Sequence, residues 1–199
     1  MPTERPARPE RPYHHGDLRR AVLNAALDVI AAEGPSALSL RDLARRAGVS
    51  HAAPAHHFKD RSGLLTAIAT EGHGLLSAVL GEAEDLRDLG VRYVRFAAAH
   101  PAHFQVMFRP ELLRPDDPGL LAAREQTRSM LRTAVQGHAD DPVIAFTAAW
   151  SMAHGFATLL LSHNLDGLLD GRNPEAAFGA LTGVMFGPVP RSSQPDEQK

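Results

Sequence analysis

The sequence predicts an all-α fold in two parts, an N-terminal three-helix domain and a larger helical domain behind it. Three observations carry the prediction. Apolar residues step by three and four along nearly the whole chain, period-two alternation is nowhere sustained, and Gly, Pro, Asp or Ser interrupts the pattern at helix-sized intervals. With 199 residues, 44 % apolar and 22 % charged, the chain has the composition of a globular protein able to bury a substantial core.

Residues 1–12 hold four prolines with Arg5, Arg8 and Arg11, too little apolar surface to offset ordering entropy, and are predicted as a flexible basic arm. From Asp17, Leu18, Val22, Ala25 and Val29 form a helical stripe widened by Leu23, Leu27 and Ile30, which Gly34-Pro35 stops. Ser39 and Asp42 have the spacing of a capping box, so a second helix is expected over SLRDLARRAG, with Leu40, Leu43, Ala44 and Ala47 inward. Gly48 can close it in a left-handed conformation and, with Ala44, let the next helix approach closely. Ser50 is expected to cap a short third helix ending at Phe58.

Asp60 opens a longer helix, LLTAIATEGHGLLSAVL, loosened by Gly72 and Gly74. Further helices are expected over 91–100, 102–108, 119–136, the strongly apolar 142–162 and 174–185, with a disordered tail at 188–199. The domain boundaries follow: 13–61 for the front domain, its fourth helix linking it to 62–187.

The net charge of −2 is unevenly divided. Residues 1–61 carry ten Lys/Arg against seven Asp/Glu, and the remainder eleven against sixteen, so a polyanion partner suits the front end alone. No run is expected to be apolar enough for a membrane span, and MPTERPARPERPYHHGD lacks the apolar centre of a signal peptide. With no cysteine, a cytoplasmic location is expected, and thiolate nucleophiles and sulfur-ligated zinc are excluded. The chain has no Gly-rich phosphate loop, no GxSxG, no HExxH and no carboxylate pair in an apolar setting. No catalytic residue and no cofactor are expected.

Helix, Gly turn and short helix over 39–58 form a unit that can project its second helix into a major groove. The exposed side of that helix would show Ser50, His51, Ala52, Ala53, Ala55 and His56, without an acidic group. With Ser39 and Arg41 before it and His57, Lys59 and Arg61 at its exit, these residues apart from Ala55 are the candidate DNA contacts. The alternative is a plain turn between two core helices. The histidines do not make a metal site, because His56 and His57 diverge by about 100° on a helix and His51 is out of step with both. His14 and His15 stand at the entrance of the first helix, near where a phosphate would lie.

From Tyr13 to Leu65, YHHGDLRRAVLNAALDVIAAEGPSALSLRDLARRAGVSHAAPAHHFKDRSGLL resembles the DNA-binding domain of TetR-family transcriptional regulators. HPAHFQVMF (100–108) and WSMAHG (150–155) resemble motifs of a TetR subgroup whose C-terminal domain is named for its Trp-His-Gly signature. The resemblance implies a homodimeric regulator, usually a repressor, that binds a near-palindromic double-stranded DNA operator. A small-molecule effector in the larger domain releases it, and the last two helices, 142–162 and 174–186, form the dimer interface. One departure stands out: the family usually has tyrosine at the position of Ala55. That makes a second identity conceivable, a helical ligand-binding or scaffold protein with weakened operator binding.

Trp150 and His154 lie one helical turn apart, next to Gly155. Either they pack the core, with Gly155 admitting a neighbouring helix, or they line an effector pocket with Phe104, Met107, Phe108 and Met130. Such a pocket suits a partly apolar ligand.

Overall fold

A computed structural model describes residues 15–186, with side chains from 18 to 184. The basic arm, His14 and the 188–199 tail lie outside the described residues. Among those described are ten α-helices and no strand. They are α1 (His15–Glu33), α2 (Leu40–Arg46), α3 (Ala53–Phe58), α4 (Arg61–Leu80) and α5 (Leu86–Ala99), then α6 (Pro101–Met107), α7 (Pro118–Ala134), α8 (Pro142–Leu161), α9 (Asp166–Leu169) and α10 (Pro174–Phe186).

Short polar side chains set six of the helix starts, Asn173 capping α10 by accepting from the Ala176 N–H at 2.9 Å. Ser39 accepts from the Asp42 N–H at 3.5 Å, Asp60 from Gly63 at 2.8 Å and Asp85 from Asp88 at 2.7 Å. Asp117 and Asp141 cap α7 and α8, each followed by a proline whose missing N–H costs the first turn nothing. The Asp85 cap starts α5 five residues before the predicted 91, because Asp85 and Asp88 supply the signal that apolar spacing alone does not.

The α2–α3 turn corrects two expectations. Gly48 adopts φ +67°, and the Val49 N–H reaches the Ala44 carbonyl at 2.9 Å while the Gly48 N–H reaches Arg45 at 3.3 Å, closing α2 with a Schellman pattern. A Cβ on Gly48 would meet nothing within 4 Å, so the backbone conformation requires glycine there and helix approach does not. Ser50 is not a side-chain cap: α3 begins at Ala53, and only the Ser50 carbonyl takes part, accepting from Ala53 at 3.0 Å. Pro54 therefore falls in the first turn, where no intrahelical partner for its nitrogen is required.

The core is one continuous cluster. Val22, Leu23 and Ile30 of α1, Leu43 of α2 and Phe58 of α3 close over Leu64, Leu65 and Ile68 at the front of α4. The cluster then runs through Leu76, Met107 and Leu120 into the larger domain. α4 is thus shared: its first turns pack on α1 and α3, and its length packs on α5, α6 and α7. It does so as an unbroken 20-residue helix, which corrects the expectation that its glycines loosen it. At Gly72 a Cβ would lie 2.6 Å from the Met107 sulfur, so this glycine is the seat of α6 against α4.

Polar bonds reinforce the junction. Both carboxylate oxygens of Glu71 on α4 accept from Arg20 of α1, at 2.9 and 2.8 Å, and His103 Nε2 of α6 lies 3.3 Å from the same group. Burial raises the affinity of Glu71 for a proton, but its bonds to Arg20 and His103 outweigh that and hold the carboxyl below its ordinary range. Burial lowers His103, against the pull of Glu71, so at neutral pH the contact is a neutral imidazole bonded to an ionised carboxylate.

α8 carries no charged residue over its 20 positions and, with α4, is long and apolar enough by length and composition to cross a membrane. This corrects the sequence expectation. Most of α4 is covered inside the protein, whereas most of α8 is not: Val143 is 70 % and Ile144 62 % exposed.

Two glycines of α4 test this packing with opposite signs. A Cβ at Gly63 would sit 2.0 Å from the Phe58 carbonyl oxygen, so Gly63→Ala is expected to destabilise by about 1–3 kcal/mol. Exposed Gly74 has open space, so Gly74→Ala is expected to stabilise by about 0.5–1 kcal/mol, both read by urea denaturation.

Candidate functional site

Two features stand out, one at each end of α4. The first is the face of α3. Ser50, His51, Ala52, Ala55, His56 and Lys59 are exposed, Ala53 and His57 are half-buried, and no acidic residue lies on the helix. Arg41 on α2 is also exposed and has no ion-pair partner among the described residues, whereas Arg45 and Arg46 are engaged with Asp42 and Glu33. Phe58 anchors the helix in the core beneath the Arg19 guanidinium, 5.4 Å from the ring centroid.

Two predicted contacts have other employment. Arg61 turns inward and donates to the Pro35 carbonyl at 2.6 Å, tying the start of α4 to the turn before α2. Ser39 uses its hydroxyl on the Asp42 N–H. His57 stands edge-on to His56 at 5.5 Å and beside Phe58, on the inner side of the short helix.

The second feature is a cavity of about 970 Å³ between α4, α5, α7, α8 and α10, near the upper end of ligand-site volumes. Its wall is largely apolar, including Leu76, Leu89, Tyr93, Met107, Phe108, Leu131, Phe146, Trp150 and Phe178. Of the six residues predicted for a pocket, Met107, Phe108, Trp150 and His154 line it. Phe104 does not: it is buried behind the wall, stacked on His154 at 5.2 Å and tilted against Phe108 at 5.1 Å. Met130 does not either, because it reaches toward Gly81.

Trp150 and His154 share the helix face that looks into the cavity. Trp150 is 39 % exposed, so it is not a core tryptophan in this chain, and His154 Nδ1 pairs with the Tyr93 hydroxyl at 2.8 Å. Burial lowers His154 and raises Tyr93, leaving both neutral. Among the described residues Gly155 has nothing within 4 Å of a built Cβ, so it seats no neighbouring helix there.

Sequence reasoning misses the polar part of this wall: His73 on α4, and Arg124, Thr127 and Arg128 on α7. The i, i+4 pair of arginines on an otherwise amphipathic helix is the available signal. His73 gives none, since a lone histidine in an apolar helix reads as core. It is 4 % exposed, and burial followed by the charges of Arg124 and Arg128 pushes it down to about 4. Its Nδ1 lies 3.4 Å from the Thr127 hydroxyl, and its buried Nε2 has no hydrogen-bond partner.

An exposed, acid-free helix held by a glycine-closed turn and joined by one long helix to a ligand-sized chamber defines a two-part helix-turn-helix protein. Residues 86–185, half of the chain, match the family described as Tetracyclin repressor-like, C-terminal domain, and residues 22–68 match Bacterial regulatory proteins, tetR family. The chain belongs to the TetR family of bacterial regulatory proteins. An HTH-type transcriptional repressor of Mycobacterium tuberculosis is 38 % identical over 68 residues, 33 % of this chain; the match spans 36 % of that relative's own length. The solved structure of a protein of unknown function from Rhodococcus sp. RHA1 is 34 % identical, with TM-score 0.72 over 89 % of this chain and 97 % of that one. AibR, solved with isovaleryl coenzyme A and operator DNA, shares the fold at 18 % identity and TM-score 0.66, over 86 % of this chain and 100 % of its own.

The depressed basicity of His73 links stability to pH. In the unfolded chain this imidazole takes a proton below about pH 6.5, whereas in the fold it does so only near 4. Its contribution is therefore complete above 6.5 and lost as pH falls toward 4, by roughly 3 kcal/mol. In urea denaturation series, His73→Gln is expected to flatten the fall in stability across that window; equal slopes would contradict the assignment.

Proposed function

We propose that this chain is a DNA-binding transcriptional repressor. In this reading it binds a near-palindromic operator as a homodimer and leaves it when a small, partly apolar molecule occupies the cavity. The observation that carries the reading is on α6. Met107 lines the cavity, and His103, one turn away on the same seven-residue helix, bonds to Glu71 and through it to Arg20 of α1. A ligand pressing on Met107 and Phe108 acts on an element bonded to the DNA-facing domain. Regulation follows if the ligand prefers the arrangement that DNA does not.

On the DNA side, α3 enters a major groove with His51, Ala52, Ala55 and His56 toward base edges, while Arg41 and Lys59 meet phosphates. In the homodimer, α8 and α10 pack on their copies in the partner, covering Val143, Ile144 and Val184, which is 82 % exposed in the single chain. The open space over Gly155 lies on the same helix. AibR supplies a precedent for one fold holding both kinds of partner. The reading requires neither catalysis nor a cofactor, and access to DNA places the protein in the cytoplasm.

Ala55 supports a second reading, a ligand-binding protein with weakened operator affinity, since an exposed methyl group makes no hydrogen bond to DNA.

Fluorescence anisotropy with DNA from the chain's own promoter separates the two. Repression predicts selective, salt-dependent binding that Arg41→Ala or His56→Ala weakens about tenfold with unchanged thermal stability. Binding with no preference over unrelated DNA favours the second reading. In sedimentation, Ile144→Arg combined with Val184→Arg is expected to yield monomers; an unchanged dimer would exclude α8 and α10 as the interface.

A further inference from the structure

The arginines on the cavity wall are not all alike. Arg87 donates to the Gly179 carbonyl, and Arg132 to the Glu125 carboxylate. Arg124 has only a 3.5 Å approach to the Met107 carbonyl, and Arg128 has no hydrogen-bond or ion-pair partner among the described residues. The two stand one turn apart on α7, and no aspartate or glutamate lines the cavity with them. Thr127, which lies between them in sequence and meets His73 at 3.4 Å, places both arginines where α7 packs against α4 on the cavity wall. Among the described residues, His73 Nε2 is the buried side-chain nitrogen or oxygen without a partner.

We propose that the cavity is a receptor for an amphipathic carboxylic acid, its carboxylate held by Arg124 and Arg128 and its apolar body laid against Phe108 and Trp150. Arg124, half-buried beside the apolar wall, loses hydration without a counter-charge, exposed Arg128 adds a second cation one turn away, and an anion engages both through charge-assisted hydrogen bonds. His73 Nε2 is shut off from the chamber by its own burial and takes no part in holding the anion. A neutral ligand of the same shape leaves both arginines uncompensated. The proposal shares its cavity with the regulatory reading above and rests on that reading only for the consequence of binding.

The single tryptophan, Trp150, lies on the wall and reports occupancy of the full-length protein by its fluorescence. Titration with dodecanoate, dodecan-1-ol and dodecyl phosphate gives the test. Dodecanoate is expected to bind at least about tenfold more tightly than dodecan-1-ol. Arg124→Gln and the exposed-site variant Arg128→Gln are each expected to weaken dodecanoate by about tenfold and dodecan-1-ol by less than about threefold. Equal affinity for acid and alcohol, equal losses of both in the variants, or no saturable binding of dodecanoate would overturn the proposal. Dodecyl phosphate binding about tenfold or more above dodecanoate would overturn the carboxylate assignment.

Operator affinity measured in the same samples keeps the two readings apart. Dodecanoate bound through the arginines without any change in operator affinity would fail the regulatory reading and support this one. Release of the operator by dodecan-1-ol as readily as by dodecanoate would do the reverse.

Discussion

Everything in this protein depends on α4 running through both parts of one continuous core. Its front, Leu64, Leu65 and Ile68, is the floor on which α1, α2 and α3 sit, and its rear, through Leu76 and Leu80, helps enclose the cavity. A helix buried along both halves cannot tilt for one without disturbing the other, because packed interiors shift between arrangements and do not deform smoothly. Gly72 makes the constraint tighter, since it lets Met107 of α6 seat directly on the α4 backbone. The Arg20–Glu71–His103 cluster then fixes α1, α4 and α6 at one point.

The two ends of α4 differ in chemistry as their tasks require. At the front, α3 is short, exposed and free of acids, and its position is set by Phe58 below, the Asp60 cap behind and the Arg61 bond to Pro35. Arg114 adds a link from the larger domain, pairing with Asp60 at 2.9 Å and donating its backbone N–H to the Thr66 hydroxyl at 2.9 Å. At the rear, the wall combines aromatic rings with cations lacking counter-charges, an arrangement that favours a bound partner over an empty chamber. Between them lie two successive turns of α6, one carrying Met107 to the cavity and one carrying His103 to Glu71.

Local signals in the sequence carry most of the fold. Ser39, Asp60, Asp117 and Asp141 mark helix starts because their side chains reach N–H groups only two or three residues away, and Gly34 and Gly48 mark stops through positive φ. The face of α3 is legible for the same reason: six residues of helix after a glycine turn leave few alternatives for His51 and His56. The cavity is less so. Met107, Phe108, Trp150 and His154 are named by two short motifs, but Phe104 has the same chemistry and faces the other way, which only the packing of α6 decides. Arg61, His73 and Arg124 depend on partners 17 to 54 positions away and Arg128 on having none among the described residues, and no local spacing encodes that.

In the proposed function the cavity and α3, the helix proposed to meet DNA, share one mechanical element, and linkage makes the coupling reciprocal: whatever a ligand does to DNA binding, DNA does to the cavity. Acrylamide quenching of Trp150 in the full-length protein, with and without saturating operator DNA, reads this without requiring a ligand. Coupling through α4 and α6 predicts altered quenching with operator and no alteration with equal amounts of unrelated DNA. Identical quenching with operator bound and free would contradict it.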